Sequence, residues 1–369
     1  MKVVMVARDT APSSAFKLVA EKLAGEVKTY LAGGGKSVLL PIEEIASSIR
    51  DADVLLSGMS SAPELVKEEI VAISAAHDAN VPVVLYADTH NSVRRPHFES
   101  VRNKVSAMFV VSKKEAEDAR KFFALSEDRI ILSGNPLVEN AHFPKTTREE
   151  VRKRFGVRDD EKIILSSGYK FPSITLPTLI ALVDAAAILE KRAPGLNLFV
   201  FASLHPGDDA WVADKSVYNR ILDYFLNCKD VADLNNLRIK VTCSKAEKAE
   251  DKATTAELLP ATDLLVTTLS TSDEEAACQR IPAIEFFTGL AMSRMEKNFS
   301  TRKWEKCEQG VAAAVYYDTG ELALLIENIL SNGVSPSMRL AQETHYPKPP
   351  YQGYAVDKII EGLKRIAKN

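Results

Sequence analysis

The chain has 369 residues, of which 46% are hydrophobic and 26% are charged, and its formal net charge is -3. This length fits two domains better than one or three, and the composition is that of a globular protein with a large core. The charge balance gives no basic excess, which argues against a nucleic-acid partner.

Targeting and membrane segments are not expected either. The apolar run at the start is too short for a signal peptide, and no stretch is predicted to approach the roughly 20 apolar residues of a membrane span. The four cysteines, at 228, 243, 278 and 307, are widely spaced and form no CxxC pair. This spacing favours reduced thiols in a cytoplasm over a zinc site, so we expect a cytoplasmic protein without a metal.

The first half of the sequence alternates short apolar runs with amphipathic segments. Strands are predicted at 2–8, 27–31, 38–40, 53–58, 81–87, 107–111 and 129–132, with helices between them. Strands spaced in this way form a parallel sheet that is covered on both faces. Because ligands of such sheets lie beyond the carboxyl ends of the strands, the loops 9–14, 58–61 and 88–91 form the candidate site of this half.

The second half repeats the pattern. Strands are predicted at 162–168, 196–202, 237–242, 263–267, 282–285 and 311–316. Capping boxes predict helices that start at Ser112 and Thr146, and another helix is expected over 216–226. A last helix over 355–366 follows a Pro-rich tether, which is able to span a gap in extended form.

These patterns predict an α/β protein with two Rossmann-like, doubly wound domains. The first domain is expected over 1–140 and the second over 146–345. The terminal helix, within 353–369, is expected to cross back and pack on the first domain.

Three stretches resemble the GT-B superfamily of nucleotide-sugar glycosyltransferases. Residues 129–136 resemble a strand that enters the interdomain linker through Gly-Asn-Pro, and 148–156 resemble the helix before the next strand and Gly168. The most specific stretch, 262–284, resembles the donor-binding pattern of the family. The branch with the strongest resemblance contains the lipid-linked N-acetylglucosaminyltransferase of peptidoglycan synthesis and, more distantly, the non-hydrolysing UDP-N-acetylglucosamine 2-epimerases.

The resemblance implies GT-B architecture, in which an interdomain cleft holds the nucleotide sugar, here a UDP-sugar. The donor is a substrate, so no cofactor is expected. The acceptor is not identified, and a lipid-linked acceptor would bring peripheral membrane contact. Two departures stand out: Arg8–Ser13 replaces the family's glycine-rich loop, and Arg280 replaces the glycine that comes two residues before Pro282.

The resemblance assigns Ser270, Thr271, Ser272 and Glu275 to the donor. Amides exposed where a strand turns into a helix bind phosphate, and hydroxyls add donors. Glu275 aligns with a family glutamate that accepts hydrogen bonds from the ribose hydroxyls. The alternative is local: Ser272 caps the helix, and Ser272 with Glu275 has capping-box spacing.

Three further residues are candidates for the donor site. Gly168 permits close approach of the backbone after a strand. Lys170 would neutralise the diphosphate electrostatically, although a loop lysine is commonly just exposed. His205 would donate to a phosphate or to the sugar, and packing in its Leu-His-Pro-Gly turn is the competing explanation.

An inverting transfer needs a general base near the acceptor hydroxyl. Asp9, Asp88 and His90 follow predicted strands and are the catalytic candidates, although aspartate also caps helices and turns. Transfer of a sugar is the first functional hypothesis. A 2-epimerase of the same fold, and a nucleotide-binding or assembly protein without catalysis, are the alternatives.

Overall fold

The computed structural model describes residues 1–33, 40–61, 63–205, 234–299 and 301–368. The chain divides into unit 1, Met1–Asn140 with Pro349–Asn369, and unit 2, Ala141–Lys348. The helix expected over 216–226, and all but Leu40 of the strand expected at 38–40, lie outside the described residues.

Unit 1 contains a six-stranded parallel sheet in the order β2-β1-β3-β4-β5-β6. Its strands are β1 Lys2–Ala7, β2 Glu26–Leu31, β3 Val54–Gly58, β4 Val83–Ala87, β5 Ala107–Val110 and β6 Ile130–Leu132. Short apolar runs such as 54–58 and 83–87 are buried throughout, as both faces of the sheet are covered.

Helices cover both faces of this sheet. The α-helices of unit 1 are Thr10–Lys22, Ile42–Arg50, Lys67–Asp78, Lys113–Phe123, Pro136–Glu139 and Tyr354–Ile366. Ile45, Ile73 and Phe123 belong to the core on one face. Phe16 and Ile359 belong to the core on the other face. The sheet therefore has a core on each side, as doubly wound folds require.

The C-terminal helix packs on unit 1, which confirms this part of the predicted fold. Glu139 caps the helix, because its carboxylate accepts hydrogen bonds from the amides of Tyr354 at 2.9 Å and Ala355 at 2.6 Å. Lys22 pairs with Asp357 at 2.7 Å. Gly362 faces β5 and β6, where an added Cβ would lie 2.5 Å from Phe109 Cε1.

Gly362→Ala is therefore expected to lower the free energy of unfolding of unit 1 by about 2 kcal/mol, since overpacking a core outweighs the better helix propensity of alanine. Thermal unfolding measures the change. Gly195→Ala is the control, because no atom lies within 4 Å of its added Cβ. Equal stability of Gly362→Ala and the unchanged protein would contradict this packing.

Unit 2 contains a second six-stranded parallel sheet, in the order β12-β11-β10-β7-β8-β9. Its strands are β7 Glu161–Ser167, β8 Asn197–Leu204, β9 Leu237–Cys243, β10 Leu264–Thr267, β11 Ala283–Phe287 and β12 Ala313–Tyr316. Its described α-helices are Arg148–Phe155, Pro172–Arg192, Thr255–Leu258, Ser272–Cys278, Gly289–Phe299, Glu305–Glu308, Thr319–Asn332 and Pro336–His345. The two parallel sheets with flanking helices are the two predicted Rossmann-like domains.

Several helix boundaries differ from the prediction. The loop expected at 9–14 is mostly helix, since the first helix begins at Thr10. The capping box of the helix Arg148–Phe155 is formed by Thr147 and Glu150 and not by Thr146 and Glu149. Thr146 instead donates to the carbonyl of Glu257 at 2.9 Å. Two adjacent threonines, each followed three residues later by a glutamate, allow two positions for the capping box, and the spacing in the sequence does not distinguish them.

Arg280 shows why a glycine is usual at its position. Its φ is +61°, in the left-handed region that favours glycine. The guanidinium donates to the carbonyls of Ala277 at 2.5 Å, Gln342 at 3.2 Å and Tyr346 at 3.1 Å. These bonds tie the end of one helix to the end of Pro336–His345, so the arginine offsets its backbone cost with a structural contact.

The helix Pro172–Arg192 corrects the expectation that no stretch approaches a membrane span. Among the described residues it is the one helix long and apolar enough to cross a membrane. More than half of its most apolar window is buried within the protein, and Leu182, Ala185 and Leu189 belong to the core of unit 2. Core helices of water-soluble proteins have the same length and composition.

Candidate functional site

The carboxyl ends of β1 and β3 are joined by polar contacts in unit 1. Asp9 follows β1, and its carboxylate accepts a hydrogen bond from the amide of Ser61 at 2.6 Å. The amide of Asp9 donates to Ser60 Oγ at 3.2 Å. Because β1, β3 and β4 are neighbours in the sheet, the loops that follow them meet at one edge.

Asp88, after β4, is a carboxyl group of this edge that is suited to proton transfer. It is buried, and Arg95 Nη1 lies 3.7 Å from its Oδ1. Burial raises the pKa of Asp88 to about 6, against the lowering effect of Arg95, and the charge of Asp9 raises it further. A carboxyl with this pKa exchanges a proton readily near neutral pH.

His90 is also buried, in a loop whose backbone is fixed by Glu115. The Glu115 carboxylate accepts hydrogen bonds from the amides of Asn91 at 2.6 Å and Val93 at 3.1 Å, and Asn91 has a φ of +61°. Ser112 caps its helix as predicted, by accepting from the amide of Glu115 at 3.2 Å. The Glu115 side chain binds the loop after β4 instead of the Ser112 amide. Only the Ser112 side-chain bond of the predicted capping box is therefore present.

Sequence reasoning missed Arg8. The side chain is 2% exposed, and its Nε lies 3.7 Å from Glu68 Oε2. In the described part of the chain, Nε and Nη1 of Arg8 have no hydrogen-bond partner. A buried guanidinium with N–H groups to spare is suited to an anionic ligand. An arginine directly after a buried apolar strand was the available signal.

Glu69 was missed as well. Its carboxyl accepts hydrogen bonds from the amides of Arg8 at 3.1 Å and Ser60 at 2.9 Å, and from Ser60 Oγ at 2.8 Å. Burial raises the pKa of Glu69 to about 7. Gly58 allows this close packing, since a Cβ there would lie 3.1 Å from Glu69 Oε1. Glutamate in a first helical turn gave no signal of burial.

In unit 2, the candidates Gly168, Lys170 and His205 lie at one edge of the sheet. They follow β7 and β8, which are adjacent. A Cβ on Gly168 would lie 3.1 Å from the carbonyl oxygen of Ser203, so the glycine allows its loop to pack closely against the end of β8. Lys170 and His205 are both exposed. Their proposed contacts with a ligand remain predictions.

The turn Leu269–Ser272 follows β10 at the same edge. Ser270 Oγ accepts from Ser272 Oγ at 2.9 Å and from the Ser272 amide at 3.3 Å. The helix begins at Ser272 after Thr271, without a side-chain cap, so the alternative roles of Ser272 as helix cap and capping-box partner are wrong. Within the described residues, the amides of Ser270 and Thr271 have no acceptor.

Glu275 lies in the first turn of the same helix and is partly exposed. Burial raises its pKa to about 7, and the charges of Glu274 and Asp273 act in the same direction. The carboxyl is therefore divided between its neutral and ionised forms near neutral pH. Its ability to accept two hydrogen bonds from a diol depends on pH in this range.

An aromatic and cationic group beside this turn was also missed. The Arg294 guanidinium lies 3.7 Å from the ring centroid of Phe171 and 5.8 Å from that of Tyr169. Leu269 and Ala291 belong to one hydrophobic cluster, and Tyr169 packs against it, so the helix Gly289–Phe299 and the turn share this cluster. The helix itself was not predicted. No group of three or more His, Cys, Asp or Glu in the described ranges is arranged to hold a metal ion.

The chain has the GT-B fold of two Rossmann-like domains, and its solved neighbours include UDP-GlcNAc 2-epimerases. No family model matches the sequence, and no curated protein matches it.

The 2-epimerase of Neisseria meningitidis, solved with UDP-GlcNAc, is 14% identical, with a TM-score of 0.59 over 99% of this chain and 100% of its own. The enzyme of Methanocaldococcus jannaschii, solved with UDP-GlcNAc and UDP, is 14% identical, with a TM-score of 0.54 over 94% of this chain and 100% of its own. Anabaena HepE, solved with UDP, is 13% identical, with a TM-score of 0.55 over 100% of this chain and 99% of its own.

Proposed function

We propose that the protein is an enzyme that acts on a UDP-sugar and binds the nucleotide at the carboxyl edge of unit 2. The observation that carries the proposal is the turn Ser270–Glu275, where two amides without acceptors precede a carboxyl group by a few residues. Amides suit phosphate oxygens, and a carboxylate suits the vicinal hydroxyls of ribose. Solved neighbours of the same fold that contain UDP or UDP-GlcNAc support this proposal.

For the reaction we propose epimerisation at C2 of the sugar in preference to sugar transfer. Epimerisation needs groups that remove and return a proton, and Asp88, with a pKa of about 6, is suited to that work. Two neighbours are 2-epimerases, which supports the same choice. Transfer stays the second candidate, because Asp88 would serve equally as the base for an acceptor hydroxyl.

Incubation with UDP-GlcNAc in D₂O, followed by NMR, distinguishes these reactions. Epimerisation removes the C2 proton as the C1–O bond to UDP breaks, and it adds a solvent proton to C2 as that bond forms again. The product therefore carries deuterium at C2, and no net UDP is released. Transfer or hydrolysis releases UDP and leaves the C2 hydrogen in place. Binding without either change would support the non-catalytic alternative and overturn the proposed enzyme.

The pKa of Glu275 predicts how nucleotide affinity depends on pH. With a pKa of about 7 in the free protein, the accepting carboxylate is lost as the pH falls, so the affinity for UDP-GlcNAc should rise roughly tenfold from pH 6 to pH 8. UDP-GlcNAc is the suitable ligand because its diphosphate diester does not titrate in this range. Isothermal titration calorimetry at several pH values measures the effect.

Glu275→Gln should bind more weakly at pH 8 and lose the pH dependence. Glu321→Gln, which changes an exposed glutamate of the same unit, is the matched control and should keep it. If the affinity of the wild type stays constant from pH 6 to pH 8, Glu275 does not bind the ribose.

A further inference from the structure

A group of ionisable side chains is buried directly behind the turn Leu269–Ser272. Asp273, Glu274, Glu285 and Lys306, which we call the carboxyl cluster, are exposed by 0%, 4%, 0% and 1%. Neither the resemblance nor the proposed chemistry uses Glu285 or Lys306. Charged side chains are seldom buried this completely, so the cluster needs a physical explanation.

The lysine serves two of the three carboxyl groups. Lys306 Nζ lies 2.8 Å from Glu274 Oε1 and 3.6 Å from Asp273 Oδ1. The Trp304 indole donates to Asp273 Oδ2 at 3.0 Å. One ammonium therefore faces three carboxyls, and full ionisation would leave buried negative charge without compensation.

Burial among these carboxyl groups disfavours a negative charge on Glu285. Burial raises the pKa of Glu285 well above its ordinary value, and the charge of neighbouring Asp273 raises it further. The pKa of Asp273 is also raised by burial, although Lys306 opposes the effect. In the described part of the chain, Glu285 Oε1 and Asp273 Oδ1 have no hydrogen-bond partner, so burial favours the neutral form of Glu285.

Glu285 also holds the backbone of the turn. Its Oε2 accepts a hydrogen bond from the amide of Leu269 at 2.8 Å. Leu269 has a φ of +52°, a left-handed conformation that is unfavourable for a residue with a Cβ. The hydrogen bond stabilises Leu269 in this unfavourable conformation. Leu269 directly precedes the amides of Ser270 and Thr271. The direction in which those amides point thus depends on Glu285.

Stability alone is a poor explanation for the cluster, because apolar residues of similar size commonly replace buried ionic groups without loss of stability. A specific backbone shape does need a specific acceptor at this place. We propose that Glu285 is a positioning residue, which sets nucleotide affinity by fixing the turn Leu269–Thr271 in its left-handed conformation. This inference rests on the proposed nucleotide site.

The test compares three substitutions of Glu285, with UDP binding measured by calorimetry and folding by circular dichroism and thermal unfolding. Glu285→Gln keeps a neutral side chain with an oxygen acceptor, so it should bind UDP within twofold of the wild type. Glu285→Leu removes the acceptor and should bind at least tenfold more weakly. Glu285→Asp keeps the carboxyl in the cluster but draws it back by one methylene, and it should also lose at least tenfold.

The pattern separates positioning from general stability. Loss of affinity in folded Glu285→Asp or Glu285→Leu, with rescue in Glu285→Gln, supports the inference. Glu308→Leu, on an exposed side chain of the same unit, should leave affinity unchanged. If the wild type binds UDP and a folded Asp or Leu variant binds it equally well, this inference is overturned while the nucleotide site stands. If the wild type does not bind UDP, the proposed function fails, and this inference with it.

Discussion

Asp88→Asn is expected to slow turnover of the UDP-sugar at least 100-fold, because a positioned acid or base contributes about 10²–10⁴-fold to rate. Asparagine keeps the size of Asp88 and is able to accept from Ser92 Oγ, which lies 3.4 Å from Oδ1. It cannot exchange a proton. UDP affinity should stay within twofold of the wild type, because the nucleotide residues belong to unit 2. Turnover is followed by NMR and UDP affinity by calorimetry.

The pH profile gives this prediction a second readout. If Asp88 acts as the base, the wild-type rate should rise as the pH increases through about 6 and the carboxyl loses its proton. Asp118→Asn is the matched control: Asp118 is also buried in unit 1, but it is held by Arg94 at 2.6 Å. If Asp88→Asn turns over the UDP-sugar at the wild-type rate, residues other than Asp88 carry out the proton transfer.

Lys306→Met is expected to lower the free energy of unfolding of unit 2 by about 3–5 kcal/mol, the usual cost of removing one partner from a buried ionic group. Methionine matches the length of the lysine stem but leaves Asp273 and Glu274 without their cation. Protonation of those carboxyls offsets part of the loss, so the destabilisation should be smaller at pH 5 than at pH 8. Denaturant unfolding at both pH values measures it.

Lys303→Met is the control for this loss. Lys303 pairs with Glu308 at 3.3 Å, but its side chain is 75% exposed, and exposed ion pairs contribute little. The free energy of unfolding of Lys303→Met should stay within about 0.5 kcal/mol of the wild-type value. A similar small effect for Lys306→Met would mean that the carboxyl cluster is not held by its lysine.

The strands and their order of appearance were predictable because each buried strand is a short apolar run between polar loops. The runs 54–58, 83–87 and 264–267 are apolar because parallel strands are covered on both faces. Helix starts were less predictable where capping residues are doubled, as at Thr146 and Thr147. The helix Gly289–Phe299 was missed because it follows β11 almost directly, although Thr288 caps it by accepting from the amide of Ala291 at 3.3 Å.

The candidate site was predictable where it depends on strand ends and less so where it depends on tertiary packing. Asp9 and Asp88 were chosen as candidates because each follows a predicted strand. Glu69 and Lys306 lie on helices, where charged residues normally face solvent, so the sequence carried no sign of their burial. Glu285 was the exception: a carboxyl inside the apolar strand Ala283–Phe287 was visible in the sequence and was passed over.

A crystal structure of the protein with UDP tests the nucleotide site most directly. The proposed site predicts diphosphate oxygens within hydrogen-bond distance of the amides of Ser270 and Thr271, and ribose hydroxyls on the Glu275 carboxylate. UDP bound elsewhere, with those two amides facing only water, would contradict it.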